Sequence, residues 1–564
     1  MSSLRVALCQ VDAAVGDLDH NIAAVLRALE QAESLDADLA IFPELCLTGY
    51  PPEDLILEPA FVRESARALD AVAARSRRCA AVVGCVLEDG GLRNAVGVVA
   101  HGELVGRAYK QCLPNYGVFD EARWFEPGRG DTPLFVIGGV PVGVLICEDA
   151  WEPGPIGDLA QRGAALITVS NASPYRSSAF DERIDVLEAR SAESHRPIAY
   201  VNLVGGQDEL VFDGGSVVVD AGGETVAIAP QFREGVVAVD LELEEELIAG
   251  TESVLVTETR DSRRPIDSPA RYVPLDADGA VYAALVLATR DYVEKNGFRD
   301  VVVALSGGID SSLVATIATD ALDKHHVHGV SMPSRFSSAG SRSDAETLAG
   351  NLGIDYQVIE IEKIHATYLG LLAPIFRGLA EDITEENLQA RIRGTLMMAL
   401  SNKFGWLVLT TGNKSETAVG YSTLYGDTAG GFAVIRDVPK TLVYVLANRR
   451  NKVEGKALIP ESVLSKPPSA ELRMNQRDDD SLPPYEVLDP ILEAYVEHHR
   501  SAADLIAEGY EPSLVHRVYR LVDQSEYKRR QAPPGPRVTT RGFGRDRRMP
   551  ITNGFIDHFE QSKS

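Results

Sequence analysis

Short apolar runs alternate with amphipathic stretches along the whole chain, and the two halves order them differently. In the first half, residues 5–11, 39–42, 80–86, 140–146, 164–169 and 198–203 are apolar runs of strand length. Residues 94–101 and 103–109 flank Gly102 as a hairpin. Residues 21–34 have helical spacing, with Ile22, Val25, Leu26 and Leu29 on one face, and 61–78 predicts a second helix. Strands at 216–220 and 236–241 complete the series. This mixed order predicts a layered α/β sandwich. In the second half, helices at 280–296, 311–321, 343–352 and 385–400 alternate with strands at 301–305, 327–332, 356–361 and 407–410. Such alternation predicts a doubly wound parallel sheet.

Residues 242–278 interrupt both patterns. An acidic cluster, Glu242, Glu244, Glu245 and Glu246, precedes the proline-containing run TRDSRRPIDSPARY, which reads as a solvated connection. The expected division is a first domain over 1–245, a linker over 246–278 with the boundary near 260–270, and a second domain over 279–564. The halves show no internal repeat. A length of 564 residues suits two cores better than one.

Charge narrows the partners. A formal net charge of −27 argues against nucleic acid and membrane surfaces, which are anionic. No apolar run spans a bilayer, and MSSLRVALCQ lacks the apolar core of a signal peptide, so a cytoplasmic location is expected. The six cysteines, Cys9, Cys46, Cys79, Cys85, Cys112 and Cys147, form no CxxC pair, which argues against a zinc site or redox dithiol.

The stretch 301–312, VVVALSGGIDSS, carries the first chemistry. A buried strand runs through Gly307 and Gly308 into a helix whose free N–H groups face the loop. Donors so placed make a phosphate site. Asp310 beside a polyphosphate requires a divalent cation between them, and Mg²⁺ is the usual one. The string Ser306 to Ser312 resembles the phosphate loop of the ATP pyrophosphatases, which cleave ATP between its α and β phosphates. No Gly-Lys-[Ser/Thr] follows, so it is not a Walker A loop.

Three further residues each stand just past a strand, where open α/β sheets place ligands. Glu44 lies in FPELCLTGY, Lys110 in YKQCLPNYGVFDE and Cys147 in VGVLICEDAW. A thiolate is a nucleophile, a nearby ammonium lowers its pKa, and a carboxylate can shuttle the proton. Together they resemble the Glu-Lys-Cys triad of the nitrilase, or carbon–nitrogen hydrolase, family. The resemblance covers about the first 245 residues. It implies an α-β-β-α sandwich and amide hydrolysis through a thioester. It also implies glutamine binding by Tyr116, Phe119, Glu121, Glu148 and Ser173. Many relatives carry a lysine or arginine where this chain has Ala179, and Arg176 and Arg183 are the candidate replacements.

Downstream, NLQARIRG, TTGNKSE, YGDTAGGFAVIRDVPKT, IPESVLSKPPSAEL and SEYKRRQAPPGPR resemble the NAD synthetases, over roughly 280–559. That resemblance implies ATP binding by Ser306, Gly307, Gly308, Ile309, Asp310, Ser311, Thr411 and Lys440, with Ser462 as a weaker candidate. It implies Mg²⁺ at Asp310 and Glu416. Asn387, Arg391, Glu416, Asp427 and Lys528 would hold deamido-NAD. The basic segment 528–548, with Pro533, Pro534 and Pro536, reads as a mobile lid or extended arm. Glutamine, ATP and deamido-NAD are then the substrates. An acyl-adenylate would form, and ammonia released at Cys147 would reach it through a shielded tunnel. A homo-oligomer, an octamer by resemblance, is expected. The alternatives are another glutamine-fed ATP pyrophosphatase such as a GMP or asparagine synthetase, a hydrolase of a different amide, and a non-catalytic nucleotide sensor.

Overall fold

The computed structural model describes residues 2–243, 250–260, 266 and 271–555. Glu244, Glu245 and Glu246 of the acidic cluster lie outside the described residues, as does most of 261–270. The chain forms two compact units, Met1–Asp276 and Ala277–Ser564.

The first unit is built on two sheets. One has six strands, in the order Gly235–Leu243, Ser2–Gln10, Leu39–Ile41, Ala80–Glu88, Leu92–Ala100 and Glu103–Tyr109. The other has seven, in the order Thr225–Ile228, Val217–Val219, Ile198–Asn202, Leu166–Asn171, Val140–Ile146, Leu134–Ile137 and Ser253–Leu255. Strand alternation decides the layering. Leu4, Val6 and Leu8 join Val140, Val142, Val144 and Ile146 in a core shared by the sheets. Ala7 and Cys9 point the other way, onto helix Leu18–Ser34 through Val25 and Leu29. Helix Pro59–Ala73 covers the same face through Leu69 and Val72. Helices Pro155–Gln161 and Ala179–Ser194 cover the second sheet through Ile156, Leu159 and Leu187. The unit is an α-β-β-α sandwich.

Two elements depart from the sequence reading. Ser253–Leu255 lies inside the stretch expected to be a solvated connection, yet it pairs in parallel with Leu134–Ile137 as an edge strand. It is flanked by Glu252 and Val256, and an edge strand this short leaves no apolar run of strand length in the sequence. Helix Ala179–Ser194 carries no strong apolar period. Its buried stripe is Ala179, Arg183, Leu187 and Ser191, so two of four core-facing positions are polar.

The second unit holds a five-stranded, all-parallel sheet in the order Asp355–Val358, Val327–Ser331, Val301–Ala304, Leu407–Thr410 and Phe432–Ala433. The chain leaves Val301–Ala304 toward one edge and later returns to pair on its other side. Ligands of doubly wound sheets bind at such a switch point. Val302, Val330 and Val408 pack against Ile392 and Met397 of helix Ile383–Phe404. A separate helical core gathers Leu488, Ile491, Val515, Val518 and Val522.

Segment 528–548 is not a free arm. Arg529 is buried, donates to the carbonyl of Ala418 at 2.6 Å and pairs with Glu526. Arg436 donates to the carbonyl of Pro533 at 2.7 Å, and Asp437 accepts the N–H groups of Val538 and Thr539 at 2.9 and 2.8 Å. The buried ammonium of Lys414 lies 3.0 Å from Asp437 and donates to Thr539 Oγ1 at 2.6 Å. The basic run is tied down because its charges meet carboxylates and carbonyls that the local sequence does not reveal.

Candidate active sites

In the first unit, three strand ends converge. Leu39–Ile41 delivers Glu44, Glu103–Tyr109 delivers Lys110, and Val140–Ile146 delivers Cys147. All three side chains are buried. The Lys110 ammonium lies 2.7 Å from Glu44 Oε1 and 2.7 Å from Glu121 Oε1. Asn94 donates to Glu44 Oε1 at 2.7 Å, and the Ala172 N–H donates to Glu44 Oε2 at 3.0 Å. The Tyr50 hydroxyl donates to Glu121 at 2.8 Å. Two carboxylates thus share one ammonium, and Asn94, Tyr50 and the Ala172 N–H take up remaining acceptor capacity.

Electrostatics set the resting protonation. Burial pulls Lys110 down, but Glu121 and Glu44 outweigh it and hold the ammonium charged. Burial pushes the Glu121 carboxyl up, against Lys110. Burial also pushes the Cys147 thiol well above its ordinary value, Glu44 adds to this, and Lys110 opposes it. The lowered thiol pKa expected from the neighbouring ammonium is therefore not the net result. Desolvation of the charged form wins, and the resting nucleophile is a thiol that needs a base.

Cys147 opens a short 3₁₀ turn, Cys147–Ala150, with φ of 48°, a region non-glycine residues rarely occupy. Its Sγ lies 3.8 Å from Ser173 Oγ, which is 2.9 Å from the Tyr200 hydroxyl. Tyr116 donates to Glu148 Oε1 at 2.9 Å, and its ring meets Phe119 edge-on at 5.5 Å. Arg183 is buried against Asp213 at 2.7 Å and the carbonyls of Gly214 and Gly215, while Arg176 pairs with Glu182. Both candidate replacements for a cation at Ala179 are already engaged within the chain.

In the second unit, a cavity of about 500 Å³ opens at the switch point, beside the loop that follows Val301–Ala304. Gly307 has φ of 77°, and a Cβ there would lie 2.1 Å from the carbonyl oxygen of Ser341. The loop is braced by its own serines. The Gly308 N–H donates to Ser306 Oγ at 3.2 Å, and Ser311 Oγ donates to the Gly308 carbonyl at 3.1 Å. Asp310 and Glu416 face one ammonium: Lys440 Nζ lies 2.5 Å from Asp310 Oδ2 and 3.3 Å from Glu416 Oε1. Asn413 donates to the other Asp310 oxygen at 3.0 Å. Burial pulls Lys440 down, but Asp310 and Glu416 together raise it above its ordinary value. Burial pushes Glu416 up, against Lys440.

Both halves match known families. The carbon-nitrogen hydrolase family matches residues 5–246 and the NAD synthase family matches residues 281–532. A glutamine-dependent NAD(+) synthetase of Thermotoga maritima is 47% identical, over 98% of this chain and 99% of its own. One from Xanthomonas campestris is 46% identical over 98% of each chain. The chain belongs to the glutamine-dependent NAD(+) synthetases. Among solved structures, the synthetase of Acinetobacter baumannii, determined with ADP, has a TM-score of 0.75 at 42% identity, covering 98% of this chain and 99% of its own.

The residues assigned by likeness to the synthetases divide in the structure. Ser306, Gly308, Ile309, Asp310, Ser311, Thr411 and Lys440 line the cavity, as do Asn387, Glu416, Asp427 and Lys528. Gly307 turns its α-carbon toward Ser341 and offers its carbonyl to Lys466 at 2.8 Å. Arg391 lies outside the lining and donates to the carbonyl of Leu424 at 3.3 Å. Arg393, two residues on, lines the cavity, donates to the carbonyl of Met332 at 2.9 Å and is lowered to about 10 by burial. Ser462 also lies outside the lining and donates to Asp344 at 2.5 Å. Asn387 accepts from Thr423 Oγ1 at 2.7 Å, Asp427 accepts the Thr423 N–H at 2.7 Å, and Lys528 donates to the carbonyls of Gly420 and Ser422. Asn94, Tyr50, Tyr200 and Asp478 were not found from sequence. Asp478 accepts from Tyr485 at 2.9 Å at the cavity edge, and no local motif marks it.

Among the described residues, no group of three or more His, Cys, Asp or Glu side chains is arranged to hold a metal ion. Two carboxylates, Asp310 and Glu416, fit a Mg²⁺ that completes its shell with substrate phosphate and water. Among the described residues, no helix is long and apolar enough to cross a membrane.

Proposed function

We propose that the chain converts deamido-NAD to NAD through an adenylate, with ammonia drawn from glutamine at Cys147. The observation that carries this reading is that one polypeptide holds both a thiol beside a carboxylate–ammonium pair and a separate phosphate loop with the Asp310–Lys440–Glu416 group.

At the first site, Glu44 accepts the Cys147 proton as Sγ attacks the glutamine side-chain amide carbon. Lys110 supports the negative charge on sulfur and then on the carbonyl oxygen. The amide nitrogen takes the proton from Glu44 and leaves as ammonia, and water releases glutamate from the thioester. Glu121 holds Lys110 as a second carboxylate, 2.7 Å from its ammonium. Tyr116, Phe119, Glu148 and Ser173 bound the glutamine.

At the second site, the N–H groups of the loop from Ser306 to Ser311 receive the ATP phosphates, with Thr411 beside them. Asp310 and Glu416 would hold Mg²⁺, which supplies charge neutralisation of the phosphates when bound. Lys440 moves its charge from the two carboxylates toward the departing pyrophosphate. Asn387, Asp427 and Lys528 line the side where deamido-NAD presents its carboxylate, which attacks the α-phosphorus. Ammonia then displaces AMP from the adenylate.

Six cysteines, none of them paired, fit a reducing cytoplasm. The exposed apolar side chains Leu371, Ile375 and Leu379 support a homo-oligomer. The test is a product assay with ATP, Mg²⁺ and deamido-NAD, supplied with glutamine or with ammonium. NAD is expected from either nitrogen source. No NAD from either would overturn the reading.

A further inference from the structure

Asp149 follows the nucleophile by two positions and has no part in the chemistry above. It is fully buried, and its carboxylate accepts backbone N–H groups from two separate segments. Oδ1 accepts from Gln111 at 2.9 Å and from Cys112 at 2.8 Å. Oδ2 accepts from Ile146 at 3.1 Å. Gln111 directly follows Lys110, and Ile146 directly precedes Cys147.

The placement matters because the two segments end strands of different sheets. Glu103–Tyr109 is the edge of the six-stranded sheet, and Val140–Ile146 lies within the seven-stranded one. Among the described residues, no sheet ladder therefore joins the lysine's backbone to the nucleophile's. Hydrogen bonds to both oxygens of one carboxylate fix distance and direction together. The Cys147 backbone also has positive φ, which persists only where neighbours hold it.

We propose that Asp149 is a positioning residue that sets the Lys110 ammonium relative to Cys147 Sγ. This rests on the glutaminase reading above. Asp149 touches neither glutamine nor the reacting atoms. It acts through the two main-chain segments it joins.

Asp149→Asn tests it in the full-length protein. The amide keeps one accepting oxygen and replaces the other with a donor, so one of the two ties is lost at nearly constant size. With glutamine, kcat should fall by roughly tenfold to a hundredfold, the cost of misplacing a catalytic group, with KM for glutamine within about threefold. Synthesis from ammonium should stay within about twofold. In Asp149→Glu, which keeps the carboxylate charge, the rate of Cys147 alkylation by iodoacetamide, followed on the Cys147 peptide, should shift to higher pH, because a displaced ammonium stabilises the thiolate less. A glutamine kcat within about twofold of wild type overturns the proposal. So does a fall in kcat in Asp149→Glu with an unmoved alkylation profile, which marks a merely structural carboxylate. Asp149→Glu displaces both acceptor oxygens and is read by the same two criteria, so failure of the amide variant to fold leaves a decision. Wild-type protein that makes NAD from ammonium but not from glutamine would overturn the glutaminase reading instead, and that is measured first.

Discussion

The Lys440 ammonium lies 2.5 Å from Asp310 Oδ2, at the wall of the cavity beside the phosphate loop. Glu416 completes the group at 3.3 Å, and the Tyr485 ring lies 5.4 Å below the same ammonium. Asp310 comes from the first turn of helix Ile309–Leu322, Glu416 from Lys414–Val419 and Lys440 from the first position of Lys440–Glu454. Three helix starts thus bring two carboxylates and one cation to the cavity.

Removing either partner should therefore impair the second reaction whatever the nitrogen source. Asp310→Ala is expected to abolish NAD synthesis from glutamine and from ammonium. Lys440→Met should lower both by about 10²–10³-fold, the usual cost of one electrostatic contact to a developing charge. Steady-state rates with each nitrogen source measure this. Undiminished synthesis in Asp310→Ala would remove its assignment to the metal.

Cys147→Ala separates the two sites. Glutamine-driven synthesis should disappear, because among the described residues Cys147 is the thiol that acts on Lys110. Synthesis from added ammonium should stay near wild type. Loss of both activities in a folded variant would contradict the division of labour.

The buried thiol makes a pH prediction with a definite sign. Burial and Glu44 raise the Cys147 pKa, and Lys110 opposes them. Alkylation of Cys147 should therefore accelerate as pH rises past the ordinary thiol range rather than level off near neutrality. Lys110→Met removes the opposing charge, so the thiol pKa should rise further and alkylation at pH 8 should slow by about tenfold or more, one pKa unit being a tenfold change in thiolate. Faster alkylation in Lys110→Met would reverse the sign assigned to Lys110.

Gly307→Ala probes the loop by shape alone. The new methyl would meet the Ser341 carbonyl at 2.1 Å on a backbone with φ of 77°. The left-handed conformation costs about 1–2 kcal/mol for a residue with a Cβ, before the clash is relieved. ATP binding by calorimetry should weaken at least tenfold and synthesis from ammonium should fall with it. Glutamine hydrolysis followed by glutamate release gives the reference for an intact first unit. Wild-type ATP affinity would show that the loop yields without cost.

Much of this protein is legible in its sequence because parallel strands buried on both faces leave continuous apolar runs. Val301–Ala304, Val140–Ile146 and Leu407–Thr410 stand out for that reason, and the residues just past them are the chemical ones. The strand ends carrying Glu44, Lys110 and Cys147 could be placed before any contact was known. Helix Ala179–Ser194 could not, because Arg183 and Ser191 occupy its buried stripe. Nor could the packing of 528–548, whose charges are matched by residues distant in the chain.

The amino-acid order by itself determined which chemical groups are present and which stand at strand ends, since those follow from local patterns of apolar and polar side chains. Only the tertiary structure decided their electrostatic state and their company. Whether Lys110 lowers or fails to lower the Cys147 pKa depends on the sum of burial, Glu44 and Glu121, and each is a distance in space rather than a spacing in sequence. The same holds for Arg393, which lines the cavity, and for Asp149, whose three N–H partners come from strand ends in two sheets. Pairing across sheets is long-range, and no local pattern records it.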